Sequence, residues 1–180
     1  MTRSDMTDRI MSVSAIVAAI AAVLVAVYEA RLNREYQRIS VWPRLQQSNS
    51  FVPGQPYLRT VANVGVGPAL IRSVQVSVDG VLCRTWPEVI KAMLGKPVPG
   101  HIYSSLNAGA VLLPDKPVHV LNLAPGEDAL KFAEEAQGRR LSVRICYSSL
   151  YDEHWLSDSF EAYPKPVAEC RPDPDKEFQQ

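Results

Sequence analysis

The sequence predicts a mainly β protein: one membrane-spanning α-helix followed by an antiparallel β-sandwich that carries two short helical insertions. Three observations predict it. Ile10 to Tyr28 is an uncharged apolar run, several later segments alternate apolar and polar residues with a period of two, and only two stretches carry helical start and stop signals. Helices do not alternate with strands, which disfavours a doubly wound nucleotide fold.

The run IMSVSAIVAAIAAVLVAVY has 19 residues. At a rise of about 1.5 Å per residue it reaches roughly 28 Å, close to the hydrocarbon thickness of a bilayer. Every face is apolar, whereas a core helix of a soluble protein normally keeps a polar stripe. Arg3 and Arg9 precede the run, as in a cleavable signal peptide, but Tyr28 stands two residues before Ala30 and Arg31 follows directly. That is a poor cleavage site, so the segment is expected to stay as an anchor, with the lipid bilayer as its partner. Beyond it EARLNREYQR continues the helix as a stalk, with Leu32, Tyr36 and Ile39 on one face. The expected organisation is a tail over 1–9, a transmembrane helix over 10–28, a helical stalk over 29–38, a sandwich over 39–163 and a flexible carboxyl-terminal tail over 164–180.

Arg31, Arg34, Arg38 and Arg44 follow the span, against Arg3 and Arg9 before it, and this excess leans the folded domain toward the cytoplasmic side. Three cysteines, Cys83, Cys146 and Cys170, are too few for a disulfide framework and lack zinc-site spacing, so they read as unpaired thiols in a reducing compartment. Within the span, Ser14, Ala18, Ala22 and Ala26 recur every fourth residue. Small residues at that spacing let two helix backbones approach, which points to a homo-oligomer through the membrane helix.

After the stalk the period becomes two. Ile39, Val41, Pro43 and Leu45 alternate with polar neighbours until a break at Asn49 to Pro56. Strands follow over Tyr57 to Val64 and Ala69 to Asp79, and Asp79-Gly80 turns the chain into a strand over Val81 to Arg84. Thr85-Trp-Pro-Glu88 is a capping box and Gly95 a stop, giving a helix over Trp86 to Leu94. Ala110 to Leu113 and Val118 to Leu123 read as strands, Glu127 to Gln137 as a second helix, and Leu141 to Tyr147 with His154 to Glu161 as a last hairpin. Seven or eight short strands separated by turns indicate an immunoglobulin-like sandwich.

Asn63-Val-Gly65-Val-Gly67-Pro68-Ala69 carries glycines but is followed by a strand, not the helix a phosphate loop needs. It reads as a tight structural turn of Asn63, Gly65, Gly67 and Pro68, whose glycines take backbone angles closed to other residues. Together with the later Cys146-Tyr147-Ser148-Ser149 hairpin ending near Trp155, this motif resembles a broad group of uncharacterised bacterial proteins. They join one amino-terminal membrane helix to a small immunoglobulin-like β-sandwich. The resemblance implies a bacterial inner membrane and supplies no reaction and no catalytic residues.

No catalytic, cofactor or metal residue is assigned. His101, His119 and His154 are scattered, and Asp152 with His154 is only a two-ligand fragment. Cys146 reads as a partly buried structural thiol, too far along its strand to reach His154. Trp42, Trp86 and Trp155 read as core or sheet-covering residues. Nineteen Lys+Arg balance 19 Asp+Glu, and the small basic patch Arg139, Arg140, Arg144 lacks interleaved aromatics, which excludes nucleic acid as the expected partner. The expectation is a non-catalytic binding or assembly module, with a protein partner on loops Asn49 to Pro56 and Gly95 to Ala108 or on a sheet edge. The alternatives are a hydrolase-like enzyme using Cys146 or a metal at Asp152 and His154, and an oligomeric structural or defence-associated membrane component. Replacing Ala18 and Ala22 together with Leu is expected to weaken self-association in detergent, measured by analytical ultracentrifugation; unchanged association removes the stripe from the packing argument.

Overall fold

The computed structural model describes residues 3–101 and 103–179, and the chain forms two compact units, Met1–Ser40 and Val41–Gln180. The first unit is helix α1, Arg3–Ser40. Of the expected tail, Met1 and Thr2 lie outside the described residues, and the helix already runs from Arg3. The segment Ile10–Ser40 is long and apolar enough to cross a membrane. The strand expected from Ile39 is not formed. Ile39 continues the helical spacing of Leu32 and Tyr36, and the Ser40 hydroxyl donates to the Gln37 carbonyl at 2.8 Å. Pro43 disfavours helix at the residue before it, so the chain turns and its first strand starts at Leu45.

The second unit is mainly β. Its strands are β1 (Leu45–Ser50), β2 (Tyr57–Asn63), β3 (Ala69–Val78), β4 (Val81–Cys83), β5 (Val111–Leu112), β6 (Val118–Leu123), β7 (Leu141–Ser148), β8 (His154–Asp158) and β9 (Lys165–Val167). Helices α2 (Trp86–Leu94) and α3 (Glu127–Gln137) lie between β4 and β5 and between β6 and β7 in the chain. One antiparallel sheet has the order β1-β2-β6, and the other β4-β3-β7-β8-β9, with β5 paired to β3. Asp79 at φ 51° and Gly80 at φ 81° make the β3–β4 hairpin turn with two left-handed residues, the geometry that matches strand twist.

Alternation sends Leu45, Tyr57 and Val61 from the first sheet against Ile71, Val76, Ile145 and Tyr147 from the second, all buried. Helix α2 forms where its caps dictate. The Thr85 hydroxyl accepts from the Glu88 amide at 3.4 Å, the Glu88 carboxylate accepts from the Arg84 amide at 2.7 Å, and Gly95 closes the helix in a left-handed conformation. It packs on β3 and β4, α3 packs on β2, and the two helices touch, so the pair bridges the sheets.

The carboxyl-terminal segment is not the flexible tail expected over 164–180. β9 pairs with the edge of β8, and Cys170 is joined to Cys146 by a disulfide with Cα atoms 5.7 Å apart. The reading of three unpaired thiols is therefore corrected; Cys83 alone is free, and it is buried. Asp173 then starts a turn in which its carbonyl accepts from the Lys176 and Glu177 amides. That turn aims Glu177 at β3, where its carboxylate accepts from the Ser73 hydroxyl at 2.6 Å and the Val74 amide at 2.9 Å. Strands β5 and β4 pair with opposite ends of one β3 edge, and Glu177 to Gln179 cover the stretch between them. Phe178 enters the core at 5% exposure, edge-on to Trp86 with ring centroids 5.1 Å apart. Sequence patterning misses this because a single Phe and a single Cys in a proline-rich stretch show no period. Phe178→Ala is expected to lower unfolding free energy by about 3 kcal/mol in urea denaturation of the oxidised protein; an unchanged midpoint would mean that the ring contributes no packing energy.

Candidate functional site

Two polar constellations stand out in the β unit, one at the glycine turn and one bordering a cleft. The structural one is the glycine turn. Asn63 is fully buried at the end of β2, and its side-chain oxygen accepts from the Arg44 and Gly65 amides, each at 3.1 Å. Its side-chain nitrogen donates to the Gly67 carbonyl at 2.7 Å and the Leu112 carbonyl at 2.9 Å. The turn also pairs with the segment before β1: the Val64 amide donates to the Arg44 carbonyl and the Val66 amide to the Trp42 carbonyl. Gly65 and Gly67 are not in the left-handed region, which corrects the reason first given for them. A Cβ on Gly65 would stand 2.4 Å from the Trp42 carbonyl oxygen, and one on Gly67 1.9 Å from the Val41 carbonyl oxygen. The glycines are there for close backbone approach. Pro68 leads directly into β3.

The second constellation centres on Arg59, which sequence reading passed over. The alternation of β2 puts Tyr57, Arg59, Val61 and Asn63 on its buried face, and Arg59 is only 3% exposed. Its register partner on β1 is Asn49. One terminal guanidinium nitrogen donates to Asn49 Oδ1 at 3.1 Å and the other to Gln47 Oε1 at 3.2 Å. Gln47 in turn donates to the Val143 carbonyl and the Ser157 hydroxyl, each at 3.1 Å, and so ties β1 to the opposite sheet. Among the described residues no carboxylate pairs with Arg59, and its Nε and the Tyr57 hydroxyl are buried with no partner at full hydrogen-bond geometry, their nearest polar interaction being with each other's side chain. Burial lowers the Arg59 pKa and raises that of Tyr57, with the attraction between the two groups opposing both shifts.

Arg59, Gln47 and Asn49 line a cleft of 260 Å³ that also takes in Gln137, Arg139 and Ser159. Arg139 is exposed at this cleft, its guanidinium 5.1 Å from the centre of the Phe160 ring and donating to the Phe160 carbonyl at 3.1 Å. Among the described residues no acidic side chain lines it. The signal in the sequence was an arginine in phase with Tyr57, Val61 and Asn63 on an apolar strand face.

The remaining sequence candidates are placed as follows. Ser14, Ala18, Ala22 and Ala26 lie exposed along α1. Cys146 is oxidised with Cys170 and is not a nucleophilic thiol. His154 Nε2 lies 3.4 Å from Asp152, but no group of three or more potential metal ligands occurs among the described residues. The basic patch is divided among partners: Arg140 is held bidentately by Asp79 and also pairs with Glu135, while Arg144 faces Asp158 at 3.7 Å. In the loop Gly95 to Ala108, Leu106 is buried and His101 stacks on Tyr103. No protein-family model, curated protein or solved structure matches the chain.

Asn63→Ala removes one acceptor and one donor that serve four backbone groups, two amides and two carbonyls. It is expected to cost at least about 3 kcal/mol in chemical denaturation, from the buried groups left unpaired. Gly67→Ala is expected to yield insoluble protein, because the added methyl meets backbone rather than a mobile side chain; a stable Gly67→Ala protein would refute the close-approach explanation.

Proposed function

We propose that the chain is a single-pass membrane protein whose β unit is a non-catalytic binding module of the immunoglobulin-like kind. The observation that carries the anchor is the apolar circumference of α1: Ile16, Val17, Ile20, Val23, Leu24 and Val25 are all exposed. What supports the immunoglobulin-like reading in the β unit is the strand order of its two sheets, β1-β2-β6 and β4-β3-β7-β8, which follows the A-B-E and C′-C-F-G orders of that sandwich. The stripe of Ser14, Ala18, Ala22 and Ala26 supports self-association within the membrane.

The side of the membrane is revised. The Lys/Arg excess after the span favours the cytoplasm, but the Cys146–Cys170 disulfide fastens a segment that contributes Phe178 to the core. Such bonds persist in oxidising compartments. We therefore propose that the β unit lies outside the cytoplasm, on the far face of a bacterial inner membrane. The disulfide occupies the Cys146 sulfur, so the hydrolase-like alternative loses that residue as its nucleophile.

The test is fractionation followed by thiol labelling. The protein is expected to sediment with membranes and to be released by detergent but not by alkaline carbonate. Denatured without reductant, it is expected to take up one alkylating group per chain, and three after reduction. Uncleaved protein in the supernatant would overturn the anchor, and three reactive thiols before reduction would return the β unit to the cytoplasm.

A further inference from the structure

We propose that the cleft around Arg59 and Arg139 is a binding site for a small oxyanion group, a carboxylate or a phosphate. The proposal goes beyond the anchored-module reading and is independent of whether α1 crosses a bilayer. A guanidinium carries five N–H donors and keeps its charge under all ordinary conditions. Arg59 directs two hydrogen bonds to the neutral amide oxygens of Asn49 and Gln47, which orient the group without cancelling its charge. A buried cation without a counter-charge is strongly unfavourable, and proteins normally place a carboxylate beside one.

Here the neighbouring groups instead suit an incoming anion. Arg139 brings a second positive charge to the same cleft, and among the described residues no carboxylate lines it; the carboxylate that Arg139 does feel, Glu161, lies outside the lining. The Ser159 hydroxyl oxygen accepts from the Val143 amide at 3.0 Å, which leaves its own proton available to a ligand. Gln137 also lines the cleft. The volume of 260 Å³ is near the roughly 300 Å³ at the small end of ligand pockets. It suits one oxyanion group on a short stem. Bidentate recognition by a planar fork selects carboxylate and phosphate over chloride.

The experiment uses the full chain in nonionic detergent, with sodium phosphate and sodium acetate as probes against sodium chloride at matched ionic strength. Thermal midpoints and the arginine Nε–H resonances of ¹⁵N-labelled protein are recorded together. Expected are a saturable rise in midpoint with at least one probe and a shift of a small subset of arginine resonances, since a ligand that binds only the native state stabilises it by mass action. A stronger response to phosphate assigns a phosphate-bearing ligand, and a stronger response to acetate a carboxylate. Arg59→Gln is expected to weaken the apparent affinity at least about tenfold. Arg139→Gln, at an exposed position that leaves the core intact, is expected to do the same, and it decides the matter if Arg59→Gln does not fold. No response beyond chloride from either probe would overturn the proposal, as would a response undiminished in Arg139→Gln.

Discussion

The β unit depends on one buried side-chain amide. Asn63 uses both oxygen lone pairs and both N–H groups on backbone atoms from three places: the lead into β1, the turn into β3, and β5. The consequence is positional. With Arg44 held, the neighbouring Leu45 amide donates to the Tyr147 hydroxyl across the sandwich at 3.3 Å, and the register of β1 on β2 follows from Leu45 opposite Asn63. Burial pushes the Tyr147 phenol up to about 12, so it stays neutral while it stacks on Trp155. In that register Asn49 lies opposite Arg59. A slip of one residue would turn Gln47 and Asn49 to the other face and remove both hydrogen bonds from the guanidinium.

The second constraint is the edge of β3. A long central strand with short partners at its two ends leaves amides and carbonyls exposed between them, a template for unwanted pairing. The chain closes that stretch with its own carboxyl-terminal segment: a carboxylate for the Val74 amide, a backbone amide for the Val74 carbonyl, and a phenyl ring for the space between the sheets. The disulfide reduces the entropy lost in docking this segment, because the chain is already fixed at Cys170, eight residues before Phe178.

What the sequence made legible was what short-range physics controls. Helix α2 was readable from Thr85, Glu88 and Gly95, and β3 with its hairpin from alternating valines and Asp79-Gly80, since caps and turns act over a few residues. β1 was misplaced because Ile39 fits a helical and an alternating pattern equally, and the difference is settled only by how far α1 continues. The Cys146–Cys170 link spans 24 residues, and Phe178 meets Trp86 from the other end of the domain. Neither contact leaves a local period. The cleft was hidden for a different reason: an arginine in a strand is unremarkable until its phase with Tyr57 and Val61 is taken to mean that it points inward.

That phase distinguishes the two ends of the space between the sheets. At the end sealed by Trp86 and Phe178, among Val61, Val74 and Ile145, the remaining cavity is only 10 Å³, which is core packing at ordinary density. At the other end the inward positions of β1 are Gln47 and Asn49, facing Arg59, and 260 Å³ stays open. Apolar residues at those three positions would bury more surface and remove the cost of an unneutralised cation, so stability alone does not account for them. Local departures from the pattern that best stabilises a fold concentrate where the molecule binds something. Here the departure comprises a charge, the amides that orient it, and the space in front of it, all set in register by the strand pairing that Asn63 anchors.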